Sequence, residues 1–378
     1  MDESIRQTWL NSVSTIVVKV GSRVLTGQDG HLDREQVASL ASQLVHLVDQ
    51  GKQVVLVSSG AVASGVAKLG LPCRPSELAR LQAVAAVGQA HLIQAYEHFF
   101  SAHGRHAAQV LLTAEDLDDR TRYLNVRNTL VALLELGVIP VINENDTVAV
   151  DELLTTFGDN DRLAAMVAGL LARPALIILS DVVGLYDKDP VQPDAEVISV
   201  VEQLDQSILD MAVQRRNGIS KGGMASKLRA AQFVTQSGAP VVIAGGRVPR
   251  VLERLAAGED LGTLFLPQPR SLTPKKRWIG FSAQPAGKII VDQGAVKALS
   301  TKGKSLLAVG ITDVKGEFLK GEVVLIVDGD GKSIARGLTN YASDELRRIQ
   351  GRQSDEIAEA LGHCPYGEVI HYDNMTLA

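Results

Sequence analysis

Two short stretches of the chain crowd carboxylates and amides together, and each lies beside an apolar run. In PVINENDTV, residues 140–148, Asn143, Glu144, Asn145 and Asp146 follow directly on β-branched residues; FGDNDRLAA, residues 157–165, repeats the pattern with Asp159, Asn160 and Asp161. Such groups are costly to bury unless paired, so they belong in a wet cleft, where they accept hydrogen bonds from a substrate ammonium group. Asp159 is also well placed to cap the helix that follows, which explains part of the second cluster. Two such clusters around successive strands leave capping as the lesser account.

Four further stretches carry groups suited to anions. In VVKVGSRVLTG, residues 17–27, Lys19 stands near the carboxyl end of a strand and Gly21 opens the turn, where a backbone can approach a phosphate closely. A strand-end lysine is often only solvated, and this stretch alone leaves both readings open. VLVSSGAVASG, residues 55–65, runs from a strand through Ser58, Ser59 and Gly60 into a helix of small residues, aiming main-chain N–H groups at a crevice; a capping serine with helix-packing glycines reads equally well. SDVVGLYDKDP, residues 180–190, ends a strand with Ser180 and Asp181 and continues to an Asp-Pro turn able to border a nucleotide. ISKGGMASKL, residues 219–228, leads through Gly222 and Gly223 into a helix with Lys227 one turn inside, although a glycine hinge with a surface lysine fits the same letters.

The elements that must position these groups alternate. Short apolar runs at TIVVKV, QVVLVS, AAQVLL, GVIPVI, ALIILS and APVVIA are separated by helical segments at 34–50, 60–69, 77–100, 121–136, 160–172 and 224–237. The runs are apolar on nearly every residue, so both sheet faces should be covered, giving an α/β fold with a three-layer αβα sandwich around a mainly parallel sheet. Residues 1–266 are expected to form this domain. A Pro-rich linker spans 267–277, and 278–378 should form a smaller β-rich, barrel-like domain with frequent Gly turns and helical pieces at 292–300 and 343–361.

Bulk properties limit the function classes. At 378 residues the chain exceeds what one core usually supports, which favours two domains. Cys73 and Cys364 stand far apart, so neither a disulfide framework nor a zinc site is indicated, and a reducing cytoplasm is the expected setting. The start MDESIRQTWLN lacks the pattern of a secretory signal, and no apolar run is long enough to span a membrane. A net charge of -5 gives no global attraction to nucleic acid. The phosphate-binding patterns of P-loop and dinucleotide folds are absent.

In this order and spacing, VVKVGSRVLTG, SSGAVASG, AVAAVGQAHLI, NVRNTL, PVINENDTV, FGDNDRLAA, SDVVGLYDKDP and GGMASKL resemble the amino acid kinase family, and INEND with GDND its glutamate-phosphorylating members. The tail from GKIIVDQGAVKALS to IARGLTNYASDELRRI resembles a PUA domain. The resemblance implies transfer of phosphate from ATP, with Mg, to the γ-carboxylate of L-glutamate, the first step of proline biosynthesis. It implies Lys19 and Lys227 as stabilisers of the migrating phosphoryl group, with Asp161 holding both. It implies glutamate contacts at Ser59, Asp146, Asn160 and neighbouring Asp159. The implied ATP contacts are Lys19, Ser180, Asp181, Lys221, Gly222, Gly223, Met224, Ala225, Ser226 and Lys227, with no protein metal ligand and Mg carried by ATP.

Family pattern further implies proline as a feedback inhibitor, a homo-oligomer (dimer or tetramer) and a handoff of labile product to glutamate-5-semialdehyde dehydrogenase. SKGGMASK departs from the family's Gly-Thr-Gly-Gly-Met and Thr-Lys, and Ser180 stands where threonine is common; individual ATP contacts are affected more than the reaction. Another amino acid kinase, such as an aspartokinase, is disfavoured by INEND and GDND. An RNA-binding or RNA-modification role through the PUA-like tail is a competing reading. From Lys275 onward there are 14 Lys and Arg against 13 Asp and Glu, a weak footprint for a polyanion.

Overall fold

Strands in which nearly every residue is apolar need cover on both faces, and the computed structural model supplies it. It describes the chain apart from residues 1, 28–29, 150–158, 206–207, 210–222, 269–275, 277, 283, 301–303, 364–365 and 378, and apart from the side chains of residues 2–4, 10, 114, 159 and 281–282. Two compact units emerge, Met1–Ser271 and Leu272–Ala378.

The first unit is built on β1 (Thr15–Val20), β2 (Gln53–Ser58), β3 (Ala107–Leu112), β4 (Ile139–Glu144), β5 (Pro174–Ser180), β6 (Val200–Val201), β7 (Val241–Gly245) and β8 (Thr263–Phe265). They form one sheet in the order β3-β4-β2-β1-β5-β7-β8-β6. Every pairing is parallel except β7 with β8. The helices between them start close to the predicted positions: Arg34–Asp49, Ala61–Lys68, Leu78–Ser101, Arg120–Glu135, Asp159–Leu170 and Gly223–Gln236.

Strand periodicity assigns β1 its two faces. Ile16, Val18 and Val20 enter a core shared with Val37, Leu40 and Leu44 of one helix, Leu92, Tyr96 and Phe100 of another, and Val251 and Leu255 of the helix Val251–Ala256. Val17 and Lys19 therefore point to the opposite face, which the helix Asp159–Leu170 covers. The chain builds β2 and β4 on one side of β1 and β5 and β7 on the other. Such a reversal opens a crevice outside the carboxyl ends of the strands. Among the described residues no helix is long and apolar enough to cross a membrane.

The second unit holds β9 (Gly287–Val291), β10 (Ile311–Lys315), β11 (Val323–Val327), β12 (Ser333–Leu338) and β13 (Met375–Leu377), in the order β10-β9-β11-β12-β13. Ile289, Val324, Ile326, Ala335, Tyr341, Leu346, Ile349 and Ile370 share its core. The helix expected over 343–361 is broken. Ser343–Ile349 ends before Gly351, which takes φ +76°, and a 3-10 turn at Ser354–Glu356 precedes a new helix at Ile357–Leu361. A residue in the left-handed region cannot continue a right-handed helix, and glycine adopts it without steric cost.

Candidate active site

Because β1, β2, β4 and β5 run parallel, their carboxyl ends bring Lys19, Ser58, Asn143 and Ser180 to one edge of the sheet. Main-chain bonds extend the alignment past the strands. Ser59 N–H donates to the Val20 carbonyl at 3.1 Å, and Gly21 N–H to the Leu179 carbonyl at 3.1 Å. Gly60 then takes φ +98°, a left-handed turn that swings the chain from Ser59 directly into the helix Ala61–Lys68. The edge borders a cleft of about 560 Å³ lined by Lys19, Ser59, Asp146, Asn160, Asp161 and Lys227, among others.

Two ammonium groups converge there on one carboxylate. Lys19 Nζ lies 2.6 Å from Asp161 Oδ1, and Lys227 Nζ lies 3.4 Å from Asp161 Oδ2. The first is a charge contact and not a directed hydrogen bond, so Oδ1 has no directed donor among the described residues. Lys227 also donates to the Gly223 carbonyl at 3.2 Å, which bends its side chain back toward the start of its own helix and the cleft. Asp161 is 1% exposed and sits in the first turn of Asp159–Leu170, where the helix dipole favours negative charge. Burial holds the Lys227 ammonium below its ordinary range; the Asp161 carboxylate works against that shift and the Lys19 charge adds to it. Two cations and one anion leave a surplus positive charge facing the cleft, a setting for a phosphoryl group.

Beyond this pair the lining turns neutral. Asn160 Nδ2 donates to Ser59 Oγ at 3.0 Å and to Asn143 Oδ1 at 3.2 Å, and Glu144 N–H donates to the same Asn143 oxygen at 2.9 Å. Asp146 follows, buried, and accepts from Gln89 Nε2 at 3.2 Å. Burial pushes its carboxyl up to about 6, against the Gln89 hydrogen bond and the charge of Arg74. A buried carboxylate beside neutral amides and a hydroxyl suits a free amino acid: the carboxylate receives an ammonium, while hydroxyl and amide groups meet carboxylates without adding negative charge.

On the other flank Ser180 Oγ donates to Asp181 Oδ1 at 2.9 Å, and Arg23 Nη1 contacts Asp181 Oδ2 at 2.8 Å. Desolvation raises the Asp181 carboxyl, but the hydrogen bonds from Arg23 and Ser180 outweigh it and the net shift is downward. Tyr186, Asp189, Pro190, Gly223 and Met224 continue this lining, so the Asp-Pro turn singled out in the sequence borders the cleft. Ala225 and Ser226 do not line it. Lys221 and Gly222 lie outside the described residues, as does the Asp159 side chain. Sequence reasoning assigned no role to Arg23, Arg74 or Gln89, and read Asn143 only as one of the acceptors in its polar cluster. Arg23, Asn143 and Gln89 were legible as members of the quoted motifs, whereas Arg74 stands outside them and joins the cleft lining from the loop before the helix Leu78–Ser101; Gln89 lies behind that lining, against Asp146.

The sequence model of the amino acid kinase family matches residues 14–245, and that of the PUA domain residues 287–361. The chain belongs to the amino acid kinase family. Membership makes it an ATP-using phosphotransferase. Three relatives with the name Glutamate 5-kinase align along nearly their whole length. The one from Rhodopirellula baltica is 51% identical and covers 100% of this chain and 97% of its own. That from Thioalkalivibrio sulfidiphilus is 51% identical over 96% of each chain, and that from Acaryochloris marina 51% identical over 96% of this kinase and 99% of its own length.

Proposed function

We propose that this kinase transfers the γ-phosphoryl group of Mg-ATP to the γ-carboxylate of L-glutamate, giving L-glutamyl 5-phosphate and ADP. The observation that carries the reading is the pairing of Lys19 and Lys227 on Asp161 beside the amide-lined pocket of Ser59, Asn143, Asn160 and Asp146. Full-length relatives named for glutamate agree with it.

The γ-carboxylate is already ionised near neutral pH, so attack needs no general base. One of its oxygens forms a bond to the γ-phosphorus while the bond to the β-phosphate oxygen breaks, and ADP leaves with the electron pair. Charge compensation and positioning are then the main catalytic tasks. Lys19 neutralises the phosphoryl group in flight, Lys227 does so from the nucleotide side, and Asp161 holds both ammonium groups apart from each other. Asp146 receives the substrate ammonium; Ser59 and Asn160, with Asp159 beside them, meet its carboxylates. Ser180, Asp181 and the segment from Lys221 to Lys227 border the nucleotide, with Mg arriving as part of the ATP substrate.

All these residues fall within 1–266, assigned here as the catalytic domain, followed by a 267–277 linker and a PUA-like domain at 278–378. The reaction opens proline biosynthesis in the cytoplasm. Proline acts on it as feedback inhibitor, the working enzyme is a homo-oligomer, and the labile acyl phosphate passes to glutamate-5-semialdehyde dehydrogenase. The test is ADP release with glutamate, aspartate and N-acetylglutamate in parallel. Turnover confined to glutamate and abolished by Lys227→Ala supports the reading. Preference for another substrate, or glutamate turnover undiminished by that substitution, rejects it.

A further inference from the structure

The AVAAVGQAHLI stretch lies on the helix Leu78–Ser101, one layer behind the cleft, and the reaction scheme gives it no task. Two of its residues bear directly on the amino-acid end. Gln89 is buried, and its Nε2 donates to the Glu144 carbonyl and to Asp146 Oδ2, both at 3.2 Å. Both partners are acceptors, so only the amide NH2 can face them; the carbonyl end of the side chain would meet like partial charge. Gly88 fixes how far this helix comes in. A Cβ there would stand 1.7 Å from the Ala61 carbonyl oxygen, and one at Gly65 of the facing helix 1.9 Å from the Val84 carbonyl oxygen. Main chain thus packs on main chain at the point where Ala61 opens its helix, two residues after Ser59.

We propose that Gln89 is a positioning residue for the amino-acid end of the site: its amide holds the Asp146 carboxylate as acceptor for the substrate ammonium, at a distance from Ser59 that Gly88 sets. This rests on the reading of Asp146 as that acceptor. An NH2 group can donate to a carboxylate but offers nothing to the proton of a carboxylic acid, so it favours the charged form that an ammonium needs. Burial pushes the other way and raises the Asp146 carboxyl to about 6. Arg74, from the loop before the helix, supports the charged form with Gln89. Lys19, Asp161 and Lys227 face the same cleft but are committed to one another, Arg23 to Asp181, and Glu144 turns its main-chain carbonyl to Gln89.

Gln89→Leu removes the donor at similar volume. Loss of one hydrogen bond to a charged group should raise KM for glutamate on the order of 10-fold near neutral pH. The acid limb of kcat/KM for glutamate should move to higher pH, because Asp146 then binds its proton more readily. Turnover at saturating glutamate and KM for ATP should stay within about twofold, since neither depends on where the ammonium sits. Unchanged glutamate KM and an unmoved acid limb would overturn the proposal. If the Leu variant does not fold, Gln89→Glu decides: it keeps the shape, replaces the donor by an acceptor and should raise glutamate KM at least as much, and an unaltered KM and acid limb there is equally fatal. Asp146→Asn separates the two levels. If that variant binds glutamate normally, the reading of Asp146 itself fails; if it loses glutamate while both Gln89 variants behave as the parent, only the role of Gln89 fails.

Discussion

At one end of the cleft two ammonium groups share the Asp161 carboxylate; at the other, Ser59, Asn143 and Asn160 pass hydrogen bonds among neutral groups, and the Asp146 carboxylate is met by an amide. Both ends are buried and both sit on the carboxyl edge of the same sheet. They differ in how charge is balanced. The Lys19, Asp161 and Lys227 cluster balances most of its own charge and leaves the surplus a phosphoryl group needs. The amide end leaves Asp146 without a full counter-charge until an ammonium arrives. Catalytic power should therefore concentrate at the first end and recognition at the second, and substitutions at the two should separate in kcat and KM.

The largest effect is expected at the charged end. Lys227→Ala and Lys19→Ala should each lower kcat by about 100 to 1000-fold, the scale for removing one electrostatic stabiliser of a transition state. Steady-state ADP release at saturating glutamate measures this. A loss confined to glutamate KM would erase the distinction between the ends.

A smaller effect, on stability, should follow from crowding the support of the amide end. Gly88→Ala forces a methyl group against the Ala61 carbonyl, and neither backbone has room to yield cheaply. We expect a loss of about 3 kcal/mol in urea or thermal unfolding, at the upper end for overpacking. What remains folded should show raised glutamate KM with near-normal kcat. A variant as stable as the parent would mean that the two helices can separate without disturbing the site.

The amide end also predicts a gain in stability where activity is lost. Burial raises the Asp146 carboxyl from 3.8 to about 6, so over that interval the folded chain holds a proton that the unfolded chain has released. The contribution of this group is fully present below the lower value and is lost as pH rises through the upper one. Near neutral pH the folded protein thus keeps a destabilising charge that an arriving ammonium would relieve. Asp146→Asn removes it and should raise stability by about 1 to 2 kcal/mol near pH 7, with the gain shrinking toward pH 4, while glutamate binding collapses. Thermal unfolding across that pH range, paired with glutamate titration, checks both signs.

The unequal legibility of the two ends has a physical basis. Six-residue strands dominated by apolar residues announced themselves: TIVVKV, QVVLVS and AAQVLL coincide with β1, β2 and β3, because short runs rich in valine, isoleucine and leucine between turn residues leave little else to be. β6 and β8 escaped notice, having two and three residues and no period to detect. β4 runs to Glu144 although its apolar letters stop at Ile142, since Asn143 and Glu144 still pair with β3 while their polar groups serve the pocket. Lys19, Asp161 and Lys227 stood out as charges at strand and helix ends. Gln89 did not, because an amide in the middle of an amphipathic helix resembles ordinary surface until the packing of Gly88 turns it inward.

The smallest effect tests whether the charged end extends to the nucleotide flank. Arg23 and Asp181 form an ion pair at 2.8 Å, close to the 2.6 Å of Lys19 with Asp161, yet their side chains are 49% and 41% exposed, where water screens the attraction. Arg23→Gln should therefore change stability by less than about 1 kcal/mol, unlike any substitution in the buried cluster. Its loss frees Asp181 from its strongest hydrogen bond and removes a cation from the lining, so KM for ATP should rise about threefold, with glutamate KM unmoved. A drop in kcat comparable to that of Lys227→Ala would mean that exposure has not weakened this pair, and the line between catalysis and recognition would then have to be drawn through the nucleotide flank instead of between the two buried ends.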